Sequence, residues 1–248
     1  VDGGNGSYSA EDTFRGNGID AIAGRFGAQC VSLSQKPWQW RTTRVLDKTV
    51  ALPYSPFFVR REYDHFGVAP LFKNHVYTVA TLGMKNLWGC IPDPYRMYYH
   101  HQLDHGIVAL YEELAPEFSI FDGLVALRGR GPMDGDPFDW NLSMVAGSVG
   151  AGERAALKLM AISSRHVRHL GIARRLGHLP SRTKLIWSQD PKPFVRRDFI
   201  LNRSIFNHAS ILLSRYPRLM RLVYHSPLSN AVYGIVNALR PSSAQAEL

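Results

Sequence analysis

Leu103-Asp104-His105-Gly106-Ile107-Val108-Ala109-Leu110-Tyr111-Glu112-Glu113-Leu114-Ala115-Pro116, followed at once by Glu117-Phe118-Ser119-Ile120-Phe121-Asp122-Gly123, is the stretch that decides the fold class. Leu103, Ile107, Leu110, Tyr111 and Leu114 recur at helical spacing up to Pro116. Phe118 to Phe121 is short and apolar, which predicts a buried strand that delivers Asp122-Gly123. The alternation continues outward. Upstream, the apolar segment Phe66 to Phe72 leads into Lys73-Asn74-His75, and a helix is predicted from Val79 to Trp88. Downstream, a strand at Ser143 to Ala146 precedes a helix from Glu153 to Met160 and another marked by Val167, Leu170, Ala173 and Leu176, stopped by Gly177. Strands alternating with helices predict an α/β layered domain with a mainly parallel or mixed sheet flanked by helices.

Towards the N-terminus, Ser9-Ala10-Glu11-Asp12 reads as the cap of a helix over Thr13 to Phe26 that ends at Gly27, with Phe14, Ile19, Ile22 and Phe26 near one face. Strands are predicted at Ala28 to Leu33 and at Arg44 to Leu52, the second closed by Pro53, Ser55 and Pro56. After Pro180 come a strand at Leu185-Ile186-Trp187 and two helices, Ile205 to Tyr224 with an internal Pro217, and Leu228 to Leu239. The expected organisation is an α/β domain over residues 1–180 and a basic, mostly helical C-terminal extension over 181–248 packed on it.

The 248 residues are 45% hydrophobic, enough to bury a sizeable core. Cys30 and Cys90 are too few for a disulfide scaffold or for an iron–sulfur cluster, and they set a reducing, cytoplasmic location as the expectation. No apolar run approaches the roughly 20 residues that span a bilayer. The chain opens on Val1 without an initiator methionine, as a processed product or a piece of a longer protein does. Of its 29 Lys+Arg and 20 Asp+Glu, residues 151–248 hold 16 and 4, so the C-terminal part is basic and the rest slightly acidic. No helix-turn-helix, zinc-finger or RNA-recognition pattern accompanies that charge, and specific nucleic acid is not an expected partner. Arg215, Arg218 and Arg221 interleave with Leu212, Leu213, Leu219 and Leu222. Two readings stay open for this basic amphipathic pattern: a peripheral membrane contact, or packing on the α/β core with the arginines outward.

Lys73 and His75 lie two apart and share a face in extended backbone, and a helix starting near Val79 would return Lys85 towards them. Two ammonium groups and an imidazole suit a small anion, with lysine as clamp and histidine as proton carrier. Solvated lysines and a satisfied loop histidine are the bland alternative. His101 and His105 are one helical turn apart with Asp104 between them, the spacing of metal ligands, although the Glu of a His-Glu-x-x-His motif is missing. Gly129, Gly131 and Gly135 form a loop whose N–H groups could hold phosphate or carboxylate oxygens, or which is a plain turn. Asp122 is either a ligand or base, or part of an Asp-Gly turn.

Taken together, Lys73-Asn74-His75, Thr81, Lys85-Asn86-Leu87-Trp88-Gly89, Ile91-Pro92, a histidine at His100 or His101, Ile120-Phe121-Asp122-Gly123, Gly129-Arg130-Gly131-Pro132 and Gly135 resemble the domain of unknown function 362 family in order and gaps. Weaker likeness runs from about Gly3 to Leu179, where His169-Leu170 and Leu176-Gly177 fit the closing helix. The resemblance implies a further strand and helix before Val1. It also implies ferredoxin-type cysteine clusters in many relatives and hence a ferredoxin-type electron carrier as a partner, while this chain itself carries no iron–sulfur cluster. Aspartates that relatives have are replaced by Val149 and Arg154, which puts activity in question. A more distant likeness is to the lactate racemase family, whose nickel-pincer nucleotide is tethered to a lysine between two histidines. His75, Lys85 and His101 have similar spacing, but the glycine-rich approach is reduced to Gly83-Met84.

The expected function is therefore an enzyme that binds a small anionic carboxylate or phosphate compound, an oxidoreductase or an isomerase. His75, Lys85 and His101 are its catalytic candidates, and Lys73, Thr81, Asn86, Asp122, Gly129, Gly131 and Gly135 its binding residues. The set His101, Asp104 and His105 is the metal alternative. A non-catalytic accessory protein that docks an acidic partner or a membrane is the competing expectation.

Overall fold

The Ser9 hydroxyl accepts from the Asp12 N–H at 3.0 Å while the Asp12 carboxylate reaches back to Ser9, so the first helix starts on the reciprocal cap its sequence predicts. The computed structural model describes residues 1–4, 8–34, 36–61, 63–132, 134–227, 229 and 231. Helix α1 (Ala10–Gly16) is followed by Gly18, left-handed at φ +65°, and then by α2 (Ile19–Arg25), which buries none of its residues. The single helix expected over Thr13 to Phe26 is thus two, and Ile19, Ile22 and Phe26 are exposed. Ala28 to Leu33 is not a strand either; an isolated bridge between Asp2 and Ser32 is all that it forms. In place of one strand over Arg44 to Leu52 the chain makes a hairpin of β1 (Gln39–Val45) and β2 (Lys48–Tyr54). Leu46 turns that hairpin at φ +56°, a conformation unusual for leucine, so the residue pattern hides the turn.

After α3 (Pro56–Val59), capped by Ser55, come β3 (Gly67–Val68), β4 (Leu71–His75) and β5 (Val79–Thr81). The helix expected from Val79 is shorter than predicted: β5 takes its first residues, α4 (Gly83–Asn86) follows, and a 3-10 turn carries on through Leu87–Cys90. A second 3-10 segment, Arg96–Gln102, leads into α5 (Leu103–Leu114). Ala115 closes α5 in the left-handed region at φ +44°, one residue before Pro116, where a helix cannot continue. The remaining elements are β6 (Phe118–Arg128), β7 (Asp136–Ala146), α6 (Val149–Leu159), α7 (Arg168–Arg175), α8 (Ile205–Leu213) and α9 (Pro217–Tyr224). Leu185-Ile186-Trp187 forms no strand, and Pro217 starts a helix of its own instead of lying inside one. The helix expected over Leu228 to Leu239 falls, but for Ser229 and Ala231, outside the described residues.

The fold is α/β with a mixed sheet flanked by helices and helices at its C-terminal end, built around β6. β3 and then β4 lie parallel to β6 along one edge, β7 lies antiparallel along the other, and β5 is antiparallel on β4. The core sits against this sheet. Phe72, Phe121 and Trp140 meet with ring centroids 4.9 and 5.6 Å from Phe72, and Ile107, Leu110, Ala156, Leu159, Leu170 and Ala173 of α5, α6 and α7 close over it. Each buried side chain of leucine or phenylalanine size contributes about 1.5–3 kcal/mol. Residues beyond 180 attach through Phe199, which enters the core against Trp140 and Phe138 at 5.2 and 5.6 Å, and through hydrogen bonds: Trp140 Nε1 donates to the Phe194 carbonyl at 3.0 Å, the Arg196 N–H to Leu159 at 2.7 Å and Arg203 Nε to Val76 at 2.6 Å. α8 buries no residue, whereas α9 buries Met220 and leaves Arg218 and Arg221 exposed. Among the described residues no helix is long and apolar enough to cross a membrane.

Candidate functional site

In the β4–β5 hairpin Lys73 stands opposite Thr81 and His75 opposite Val79. Lys73 and His75, two apart, project to one face, and Thr81 shares it as a cross-strand neighbour. The chain then turns into α4, which returns Lys85 to the same place, where it acts electrostatically on His75 and feels Lys73. Two more imidazoles close the group. His100 arrives from the 3-10 segment before α5 and His169 from the first turn of α7, and Lys85 acts on both. The His100 ring lies between Tyr77 and Trp88, nearly parallel to each, with centroids at 4.7 and 5.7 Å. Lys85 Nζ sits 5.9 Å from the centre of the Trp88 ring.

Burial dominates the electrostatics. Lys85 is only 7% exposed, and burial, then Arg96 and Lys73, push its pKa down to about 7. Burial alone lowers that of Lys73. His75 and His100 are held well below their ordinary value by burial and then by Lys85, and His169 falls to about 3 for the same two reasons. His75 Nδ1 accepts from the Tyr77 N–H at 3.1 Å, so its neutral ring carries the proton on Nε2. Every charged neighbour that shifts Lys85, His75, His100 and His169 is itself a base, and no carboxylate is among them. Thr81 Oγ1, Trp88 Nε1, His100 Nδ1 and His169 Nδ1 are buried without a hydrogen-bond partner among the described residues. A ligand with several acceptor oxygens would satisfy what the protein leaves open.

Asn74, between Lys73 and His75, does different work. Its Oδ1 accepts from the Gly129 N–H at 3.0 Å and its Nδ2 donates to Val79 and Phe199 at 3.1 and 3.4 Å, tying the β6–β7 loop to the hairpin. The Val76 N–H donates to the Gly131 carbonyl at 3.0 Å, and a Cβ on Gly131 would lie 2.1 Å from the Asn74 oxygen. Glycine is needed there because two backbones touch. In this structure Gly129 and Gly131 buttress β4, Gly135 packs against Leu127 and Arg128 of β6, and the Gly129 N–H is already engaged. Asp122 lies inside β6, its carboxylate accepting from the Leu124 N–H at 2.9 Å beside the bulge between Gly123 and Val125, so Asp122-Gly123 is not a turn. Asn86 follows Lys85 at the end of α4, half-buried.

The histidine brought against Lys85 is His100 rather than His101. His101 Nδ1 pairs with the Tyr98 carbonyl at 2.9 Å, and the side chain lines a separate cavity together with Asp104 and His105. Among the described residues no three His, Cys, Asp or Glu side chains are placed to hold a metal ion. His101, Asp104 and His105 thus share a cavity wall without forming a metal-ligand set. Tyr77 completes the group with no signal in the sequence, and Trp88 and His169, quoted above only for the family resemblance, join it through tertiary packing, His169 following Lys85 by more than eighty positions. Glu153 was also missed. It is fully buried on α6, its Oε1 accepts from the Met84 N–H at 2.6 Å at the start of α4, and burial raises its pKa to about 8. Val149, one turn earlier, packs so tightly that a Cβ on Gly83 would lie 2.7 Å from it, and Arg154 donates to the Pro180 carbonyl at 2.5 Å.

No solved structure matches the chain. A thylakoid-associated protein of Synechocystis, sll1697, is 28% identical over 123 residues, 47% of this chain and 38% of that protein. The aligned part thus spans less than half the length of the relative. Residues 1–158 match the family described as domain of unknown function (DUF362), well over half of the 248 residues, and the chain belongs to that family.

Proposed function

We propose that the chain binds a small anionic compound, a carboxylate or a phosphate, among Lys73, Lys85, His75, His100 and His169 and acts on it by acid–base chemistry. The observation that supports this is the gathering of buried Lys85, His75 and His169 with half-buried Lys73 and His100, around unpaired polar atoms and with no carboxylate acting on them among the described residues. An anion would offset the cost of burying these bases. Lys85, with a pKa of about 7, exchanges a proton readily at neutral pH, and His75 presents Nε2–H as a donor. Lys85→Ala and His75→Ala should abolish calorimetric binding of inorganic phosphate and of small carboxylates while the circular dichroism spectrum stays that of wild type. Equal affinity in wild type and both variants rules the site out.

A second reading concerns α8 and α9. Ile205, Phe206, Leu212 and Leu213 are exposed beside Arg215, Arg218 and Arg221, and the Synechocystis relative is named for a membrane. In this reading the protein is cytoplasmic and rests these helices on an anionic membrane face. Sedimentation with phosphatidylglycerol vesicles at low ionic strength tests it; no binding there ends it.

A further inference from the structure

His100 has two neighbourhoods. Its ring feels Lys85 on the inner side, and together with Tyr77 it also lines a cavity of about 510 Å³ that neither Lys85 nor His75 reaches. That volume falls in the range of pockets that hold small molecules. The cavity wall carries Lys48, Arg168, Arg175 and Arg215, with His101 and His105, against the single carboxylate of Asp104. None of those four cations makes an ion pair among the described residues. Asp104 feels Arg168 and Lys48, and one carboxylate cannot balance four cations on the wall. Two groups of uncompensated bases, one inside and one in the cavity, are therefore separated by the stack of Tyr77, His100 and Trp88.

We propose that the cavity holds the second anionic group of a ligand carrying two, so that the substrate class is an extended bis-anion, a phosphate joined to a carboxylate or to another phosphate. The inference rests on the reading of the Lys85 cluster as an anion site and adds an outer arm to it. Arg168 and Arg175, one helical face of α7 and both exposed, supply the outer clamp, since guanidinium groups pair with phosphate in a bidentate fashion. Lys48 faces them from the β1–β2 hairpin and Arg215 from beyond α8. Linker length then becomes a selection device: too short a molecule reaches one group only.

The test is isothermal titration of the full chain with inorganic phosphate and with a series of phosphonocarboxylates of increasing chain length. Wild type should bind one length at least about tenfold more tightly than phosphate. Arg168→Ala/Arg175→Ala should remove that gain while the phosphate binding that depends on Lys85 persists, and because both side chains are exposed the variant is expected to fold. The milder Arg175→Gln, with its thermal midpoint recorded, guards against a folding artefact and should lose a smaller part of the gain. If no length binds better than phosphate, or if the double variant keeps the gain, the outer arm is wrong. Phosphate binding that still depends on Lys85 would then leave the inner site standing. Phosphate binding indifferent to Lys85→Ala overturns the inner site, and the outer arm with it.

Discussion

Lys85 on α4 and Arg218 and Arg221 on α9 carry the same charge in opposite surroundings. Lys85 is 7% exposed among other bases, whereas the two arginines stand in solvent on a helix whose buried residue is Met220. The β4–β5–α4 unit is held by register, by Asn74 and by the Gly131 contact, while α8 buries nothing and Phe206 on it is 84% exposed. Net charge is therefore a poor guide to which bases are desolvated. The C-terminal part has the excess of arginines, but chemistry follows from desolvation, which the interior cluster has and α9 lacks.

The largest effect that would break this contrast is at Lys85 itself. Its proton leaves near 7 in the folded chain and near the ordinary 10.5 in the unfolded one. Between those values the unfolded chain binds more protons, so stability rises with pH through that window, and below it the whole penalty is present, on the order of several kcal/mol. Lys85→Met should raise the thermal midpoint at pH 6 by about 5 °C or more, yet weaken phosphate binding at least about tenfold. A variant that loses stability at pH 6 would show that Lys85 has a partner the cluster does not reveal.

Glu153 gives the opposite slope and a smaller change. Its pKa rises from 4.5 to about 8 on folding, so the folded chain holds the extra proton between those values. The stability it contributes is complete below about 4.5 and is lost as pH climbs through 8. Glu153→Gln keeps an oxygen for the Met84 N–H and should raise the melting temperature at pH 9 by a few degrees, about 1–3 kcal/mol, with little change at pH 4.5. Differential scanning fluorimetry across pH separates the two groups, because Lys85 and Glu153 bend the curve in opposite directions.

The contrast also explains what the sequence could reveal. Lys73, His75 and Lys85 were legible because strand alternation is a period of two and a following helix returns the chain. α5 was legible from its apolar spacing and Pro116. What failed did so for physical reasons. Leu46 and Ala115 hold left-handed backbone that their types do not announce, and only Pro116 betrayed the second. Ala28 to Leu33 and Leu185 to Trp187 have strand-like composition but no sheet edge that pairs with them. His169 and the rings around His100 are neighbours through tertiary packing alone. Asp122 reads as a ligand, a base or part of an Asp-Gly turn; in β6 the turn is absent and the pair sits beside a bulge.

Gly131→Ala probes whether the hairpin is positioned by backbone contact. The added methyl would lie 2.1 Å from the Asn74 carbonyl oxygen, so β4 must shift where Lys73 and His75 leave it. A loss of about 2–3 kcal/mol by urea unfolding is expected, together with weaker phosphate binding even where the chain is still folded. Unchanged binding would detach the glycine loop from the site.

The smallest effect belongs to the terminal helix. Arg218 and Arg221 have water on their exposed sides and stand apart from Met220, which faces inwards next to the 3-10 segment that His225 joins through Asp93 at 3.4 Å and Tyr98 at 4.5 Å. Removing both charges with Arg218→Gln/Arg221→Gln takes nothing from the packing, so unfolding should change by less than about 0.5 kcal/mol. Phosphate affinity should not move either, since neither residue lines the cavity or faces Lys85. The vesicle measurement is where these arginines count: if α9 rests on an anionic membrane, the double variant loses binding that wild type shows at low salt, and the loss shrinks as salt screens the surface within about 10 Å at 0.1 M. A variant that instead lost phosphate binding with its fold intact would mean that α9 belongs to the site, and the separation between the buried and the exposed bases would have to be redrawn.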